Sequence, residues 1–310
     1  MASYQGLYQR GLLGERVQQT EAMLGDCCLC PRGCHVDRRA GEKGKCRVGR
    51  EALVSSYGPH FGEERPLVGR CGSGTIFFTF CNLKCLFCQN YTISHLGEGR
   101  PVSREELAAV MLALQTQGCH NINLVTPTHV VPQILAALEV AVGKGLSIPL
   151  VYNCGGYESR ETLKLLDGVV DIYMPDMKYA DGEIARRYSG VRNYPQENQA
   201  AVREMHHQVG DLALDEAGIA VKGLLVRHLV LPNNLAGTSP IARFVAEEIS
   251  TNTYLNIMAQ YHPCYRAHKI PLLDRPLLPE EYRGAVRLAQ SHGLTRLDGI
   301  RPRPLVRLQG

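Results

Sequence analysis

Nowhere in the 310-residue chain do about 18 apolar residues run uninterrupted, so no segment has the length and hydrophobicity of a membrane-spanning helix. Residues 1–7 hold no basic stretch leading into an apolar run, and the expectation is a protein neither exported nor membrane-bound. Charge of one sign is gathered nowhere. The 34 Lys and Arg are scattered among 30 Asp and Glu for a net charge of +4, which offers no basic face to nucleic acid or to a membrane surface. No G-x-G-x-x-G follows a strand-like run, and that removes the dinucleotide fingerprint. The chain that remains is 45% hydrophobic, long enough to bury a full core in one large domain or in one large and one small.

Cysteine, in contrast, is plentiful. The twelve cysteines cluster in threes and fours instead of spreading as pairs, which favours metal binding in a reducing compartment, hence the cytoplasm, over disulfides. Cys81, Cys85 and Cys88 form a C-x3-C-x2-C loop directly after the strand-like residues 74–80. That spacing offers three thiolates to a four-iron cluster and leaves the fourth iron open. An open iron takes the amino and carboxylate groups of S-adenosylmethionine and passes one electron into the sulfonium bond, releasing a carbon radical. A zinc knuckle or another structural site is the plainer alternative.

A second set lies upstream, where Cys27, Cys30, Cys34 and Cys46 read C-x2-C-x3-C-x11-C. Four thiolates can close a site, with Cys28 able to stand in for Cys27. Gly33, Gly41 and Gly44 supply the tight turns, and a segment of about 50 residues with few long apolar runs needs such a staple. The spacing fits zinc and an iron–sulfur cluster equally; reduced cysteines in a basic loop are the bland reading. Residues 56–66 read as a connector in which Glu63 and Glu64 either reach the site or, as adjacent acids in a turn more often are, stand solvated, and Cys71 as a small apolar side chain.

Downstream, strand-like stretches at 119–125, 148–153, 169–174, 223–231 and 254–260 alternate with helical patterns at 103–117, 131–144, 158–166, 240–250 and 279–291. Ser103 with Glu106 three residues on is a capping box. With residues 74–80 this makes about six βα units, an α/β fold forming a partial (β/α)6 TIM-like barrel, and an open doubly wound sheet is the runner-up. Residues 193–217 are long for one connection and are expected to carry helices over the site. The expected division is a small N-terminal cysteine-rich metal-binding segment with its connector over 1–70 and a core domain over 71–310.

The C-x3-C-x2-C loop with Phe87 before its last cysteine, followed by six βα units, resembles the radical SAM superfamily. The Cys-Pro-Arg-Gly-Cys run at 30–34, Gly72-Ser73-Gly74-Thr75-Ile76-Phe77-Phe78, Phe87-Cys88-Gln89-Asn90-Tyr91 and Asn123-Leu124-Val125-Thr126-Pro127-Thr128-His129 make nearly the whole chain similar to uncharacterised proteins grouped with pyruvate formate-lyase activating enzymes. The resemblance implies an oxidoreductase that uses a [4Fe-4S] cluster to cleave S-adenosylmethionine to a 5′-deoxyadenosyl radical, which abstracts hydrogen from a substrate. It implies an external one-electron reductant of the flavodoxin or ferredoxin type.

Residue by residue, the resemblance assigns Cys81, Cys85 and Cys88 to the cluster and Phe87 to the adenine. It assigns Asp176 and Lys178, in a D-x-K, to the ribose hydroxyls and the methionine carboxylate, and His262 to the neighbourhood of the adenosine. The chemistry agrees, since a carboxylate accepts both hydroxyls of a ribose and an ammonium two residues on, facing the same way, neutralises a carboxylate. A solvated turn and a rim histidine are the plain readings of the same residues. Where relatives carry Gly-Gly-Glu after the second strand, this chain has Thr126, Thr128 and His129, any of which can substitute through hydroxyl, ring or backbone groups, although a threonine pair at a strand end is also ordinary turn chemistry. Gly155 and Gly156 either allow close backbone approach or form a plain strand-to-helix turn, and Cys154 is either a reactive rim thiol or, as a lone cysteine at a strand end more often is, a packing residue. The extra cysteines precede the cluster loop, whereas formate-lyase-type activating enzymes insert theirs after it. Three substrate readings follow: a glycine of a partner glycyl-radical enzyme, a small molecule or peptide, or no substrate at all in an iron–sulfur electron carrier or structural metal-binding protein.

Overall fold

The structure is a computed structural model that describes residues 2–298. Its strands are β1 (Ala52–His60), β2 (Ser73–Phe78), β3 (Arg100–Val102), β4 (Ile122–Val125), β5 (Leu150–Cys154), β6 (Ile172–Pro175), β7 (Ala213–Leu214), β8 (Ala220–Leu229) and β9 (Tyr254–Met258). The helices are α1 (Ser3–Gln9), α2 (Leu12–Ala22), α3 (Arg65–Val68), α4 (Arg104–Thr116), α5 (Val131–Gly143), α6 (Arg160–Leu165), α7 (Gly182–Ser189), α8 (Tyr194–Val209), α9 (Thr238–Phe244) and α10 (Pro279–Ser291).

β2, β4, β5, β6, β8 and β9 are parallel and adjacent in that order, with helices between most of them. β5 and β6 are buried along their whole length, the condition of a parallel strand covered on both faces. The expected α/β fold with a partial barrel is therefore present. Among the described residues the arc does not close: β1 lies antiparallel along the outer side of β2, β3 pairs with β1, and β9 has its ladder with β8. Residues 56–66 depart from the connector reading, because residues 56–60 belong to β1. Pro59 is tolerated there because past Val54 that strand is paired only on its β2 side, leaving the missing N–H without consequence.

The N-terminal part shares this architecture. Leu7, Leu13 and Val17 from the first two helices join the core of Leu124, Leu135 and Tyr152, so the sheet and core run across residue 70. Residues 299–310 of the expected second domain lie outside the described residues. The capping box forms, with Ser103 Oγ accepting the Glu106 amide and Glu106 accepting the Ser103 amide. Residues 193–217 carry α8, and α7 precedes it; α7 is capped by Asp181 and stopped by Gly190 at φ 70°. Among the described residues no helix is long and apolar enough to cross a membrane.

One glycine ties the strand ends together. Gly156, at φ +72°, follows β5, and a Cβ there would stand 2.2 Å from both the Asn198 amide nitrogen and the Asp176 carbonyl oxygen. Gly156→Ala is expected to destabilise the fold by about 2–4 kcal/mol through left-handed backbone cost and overpacking. Thermal unfolding checks this, and an unchanged Tm would contradict it.

Candidate active site

After β2 the chain turns out of the sheet at Phe80, which adopts φ 68°, and residues 81–91 form a loop at the carboxyl ends of the parallel strands. Other elements pin the loop in place. Leu86 N–H donates to Tyr188 O (2.8 Å), Arg266 N–H to Leu86 O (3.0 Å), and the Asn82 side-chain amide to Tyr157 O (2.8 Å). The sulfurs carry partners too: Ser189 Oγ donates to Cys85 Sγ at 2.9 Å, the Leu83 amide to Cys81 Sγ at 3.4 Å, and Ser94 Oγ lies 3.1 Å from Cys88 Sγ.

Burial pushes the Cys81 thiol up to about 12, with charge on Cys85 and Cys88 adding to the rise and the Leu83 amide and Lys178 opposing it. Burial raises Cys85 as well, again against Lys178. The three thiols thus sit within one another's electrostatic reach, with the Lys178 ammonium beside Cys81 and Cys85.

That ammonium belongs to an ion cluster built from neighbouring strand ends. Lys178 Nζ is 2.5 Å from Asp176 Oδ2, Arg227 Nε donates to Asp176 Oδ1 at 2.9 Å, and Arg227 Nη2 to Asn153 Oδ1 at 2.6 Å. A bridge pairs Asp176 with Arg227 in parallel, which brings β6 and β8 into register here. Glu63 stands 3.9 Å from Arg227. Burial works against the Asp176 carboxylate, yet Arg227 and Lys178 hold it below the usual range. Burial likewise opposes the charge on Lys178, and Asp176, then Cys85, more than restore it. Tyr194 OH steadies the turn, accepting the Lys178 amide at 3.0 Å and donating to Gly155 O at 2.9 Å.

The other expected residues fall in different places. Phe87 is 4% exposed, its ring edge-on to Tyr179 and Tyr261, so its ring is committed to packing. His262 is exposed and lies 3.4 Å from Gln89 on the rim. Thr126 adopts φ 60° at the end of β4. Thr128 is turned inside: it is fully buried and donates to Glu158 at 2.7 Å, while Tyr152 OH donates to the other carboxylate oxygen at 2.9 Å. His129 is buried too and bonded to Thr79 O. Both have moved from the expected strand-end rim into the interior because a 3-10 turn over Thr128–Val130 follows β4.

Cys27, Cys30, Cys34 and Cys46 line one small cavity together with Leu29, Arg32, Arg38, Gly44 and His129; Cys28 is exposed and absent from it. Among the described residues no three His, Cys, Asp or Glu are arranged to hold a single metal ion. Sequence reasoning missed Arg227, which sits in an apolar strand with no motif around it, and gave little weight to Glu63, whose side chain is 9% exposed. It also passed over Cys264, which comes within electrostatic reach of Cys88 from a loop distant in sequence.

Residues 75–211 match the family model described as the radical SAM superfamily. The chain is 33% identical over 293 residues to the uncharacterised protein MJ0674 of Methanocaldococcus jannaschii, covering 91% of this chain and 80% of that one. It is 26% identical over 265 residues to a second uncharacterised protein of that organism, MJ0808, covering 79% and 73%. Among solved structures, a radical SAM methyltransferase from Sphaerobacter thermophilus is similar with a TM-score of 0.51 at 13% identity, over 71% of this chain and 64% of that one. That last likeness is one of fold.

Burial pushes the Glu158 carboxyl up to about 7, despite the hydrogen bonds from Thr128 and Tyr152. The folded-state value therefore lies above the ordinary 4.5, and the stability contributed by the protonated form is lost as pH rises from there through about 7. Glu158→Gln removes this dependence. Between pH 5 and 8 the variant is expected to gain on the wild type by on the order of 3 kcal/mol, read as a Tm difference that shifts in its favour; a difference constant with pH would contradict the assignment.

Proposed function

We propose, from the premise that this chain belongs to the radical SAM superfamily, that it is an activating enzyme of the pyruvate formate-lyase type. Members of that superfamily bind a [4Fe-4S] cluster and S-adenosylmethionine and generally take an electron from an external donor; the donor proposed here is of the flavodoxin or ferredoxin type. The observation that carries the reading is the Asp176–Lys178–Arg227 ion cluster set against the thiols of Cys81, Cys85 and Cys88.

The donor set fits an iron–sulfur cluster: three soft ligands in mutual reach, with an ammonium beside them to offset thiolate charge. When bound, the cluster and S-adenosylmethionine supply reductive cleavage of a carbon–sulfur bond and a 5′-deoxyadenosyl radical that takes a hydrogen atom from the substrate. Lys178 would turn from Asp176 to the methionine carboxylate, and Asp176 would accept the ribose hydroxyls while Arg227 keeps it ionised. Thr126 would present its peptide groups to the amino group, and Thr128 would serve at one remove by holding Glu158. With the Phe87 ring packed away, its backbone is left for the adenine, and His262 would meet the adenosine from the rim.

The substrate proposed is a glycine in a partner enzyme. Among the described residues the arc of strands does not close, and the loops beside its carboxyl ends expose Gln89, Asn90, His262 and Arg266, which would let a peptide loop approach. Residues 1–70 are proposed as a metal-binding segment, with zinc or iron–sulfur at Cys27, Cys30, Cys34 and Cys46, and 71–310 as the radical core.

The test is anaerobic reconstitution with iron and sulfide, reduction, and assay for 5′-deoxyadenosine. Product is expected from the wild type and from Cys264→Ala, at least tenfold less from Asp176→Asn or Lys178→Met, and none from Cys81→Ala, Cys85→Ala or Cys88→Ala. Absence of product from the wild type would overturn the enzymatic reading. Loss in Cys264→Ala would point to a cluster closed by four thiolates. Product without a glycyl radical in a partner enzyme would leave the radical chemistry standing and direct it to a small molecule or peptide.

A further inference from the structure

We infer that Cys27, Cys30, Cys34 and Cys46 hold a second, redox-active iron–sulfur cluster in electronic contact with the group held by the Cys81 loop, an inference that rests on that loop holding a cluster of its own.

The cavity is small and set among thiols. All four cysteines line it, and Gly44 closes one side where a Cβ would stand 2.7 Å from Cys34 Sγ. Its second feature is a buried charge without an acid. Arg38 is 1% exposed, and its guanidinium donates to Gly49 O at 2.8 and 3.0 Å and to His129 O at 2.8 Å, with Cys27 Sγ at 3.9 Å. Among the described residues it forms no ion pair with a carboxylate. A guanidinium does not shed its proton, and a buried cation facing four neutral thiols would be uncompensated. Thiolates bound to a metal cluster supply the missing negative charge. His129, 1% exposed and lining the same cavity, also has a buried Nδ1 with no partner.

The cavity also adjoins the Cys81 loop. Arg32 lines the cavity and reaches across to the Cys81 loop, donating from Nε to Asn82 O at 2.9 Å. The Asn82 side chain lies 3.8 Å from Cys81 Sγ and beside Cys30, so one residue spans the two thiol sets. Lys84, inside the loop, has a buried Nζ with no hydrogen-bond partner and both Cys81 and Cys46 among its electrostatic neighbours. A cation so placed offsets the repulsion between two anionic clusters. A low-potential one-electron carrier would reduce the N-terminal cluster by one electron, and the cluster would return to its oxidised state on passing that electron to the Cys81-loop group. No bond forms or breaks and no proton moves.

Metal analysis of the reconstituted wild type tests this without any substitution: about eight irons per chain are expected, four for each cluster. The triple variant Cys81→Ala/Cys85→Ala/Cys88→Ala is expected to retain about four, bleached by dithionite, and Cys30→Ala/Cys46→Ala to retain the other four. In the reduced wild type, electron paramagnetic resonance should show spin coupling that both variants lack, and Arg38→Gln should move only the N-terminal cluster's potential to more negative values. About one zinc at the N-terminal site, no metal there, or two uncoupled iron signals would each overturn the inference. An iron-free Cys30→Ala/Cys46→Ala protein would instead remove the reading of the Cys81 loop, which keeps the two failures apart.

Discussion

Sulfur must carry negative charge to bind iron, and in this protein the sulfurs are sunk where that charge is costly. Burial is the largest cause of the rise that takes the Cys81 and Cys30 thiols up to about 12. The interior cations are placed where they answer that cost. Lys178 opposes the rise at Cys81 and Cys85, Arg38 does so at Cys46, and Lys84 lies between the two sets. Asp176 and Arg227 in turn determine where the Lys178 charge resides. An ammonium held by one carboxylate is a movable partner for another, and this is the exchange that recognition of a zwitterionic ligand requires.

The fold makes such an arrangement affordable to sequence. Parallel strands end at one level, so Asn153 after the core of β5, Asp176 after β6 and Arg227 within β8 become neighbours although they are far apart along the chain. Gly155 and Gly156 clear the space above them, and the hydroxyl of Tyr194 with the amide of Asn198 satisfies the carbonyls left at the turn. The unclosed arc then leaves the loop approachable from the side. The N-terminal cysteines are packed against the loop's flank, and β1 ties their segment into the same sheet.

Much of this was legible in the residues because the signals were local. The six parallel strands read as apolar runs, the capping box at Ser103 forms as its spacing predicts, and the two cysteine sets each gather in one place. What escaped was long-range. Arg227 lies in an apolar strand and gains meaning only from Asp176 across the sheet. Cys264 approaches Cys88 from a loop far downstream. Gly58 and Pro59 suggested a turn, since nothing local reveals that β1 has a free flank there. At Thr126-Pro127-Thr128-His129 the residue types gave no sign that a 3-10 turn would carry Thr128 to Glu158 and His129 toward the N-terminal cavity. The choice between Cys27 and Cys28 also depended on which side of the chain the cavity lies.

Electron paramagnetic resonance of the reduced, anaerobically reconstituted protein, recorded with and without S-adenosylmethionine, tests directly whether the Cys81 loop holds a cluster with an open iron. Coordination through the amino and carboxylate groups should alter the signal of the Cys81-loop cluster, and the change should disappear in Lys178→Met at the same ligand concentration. Superimposable spectra from fully iron-loaded wild-type protein would contradict an open site and the chemistry built on it.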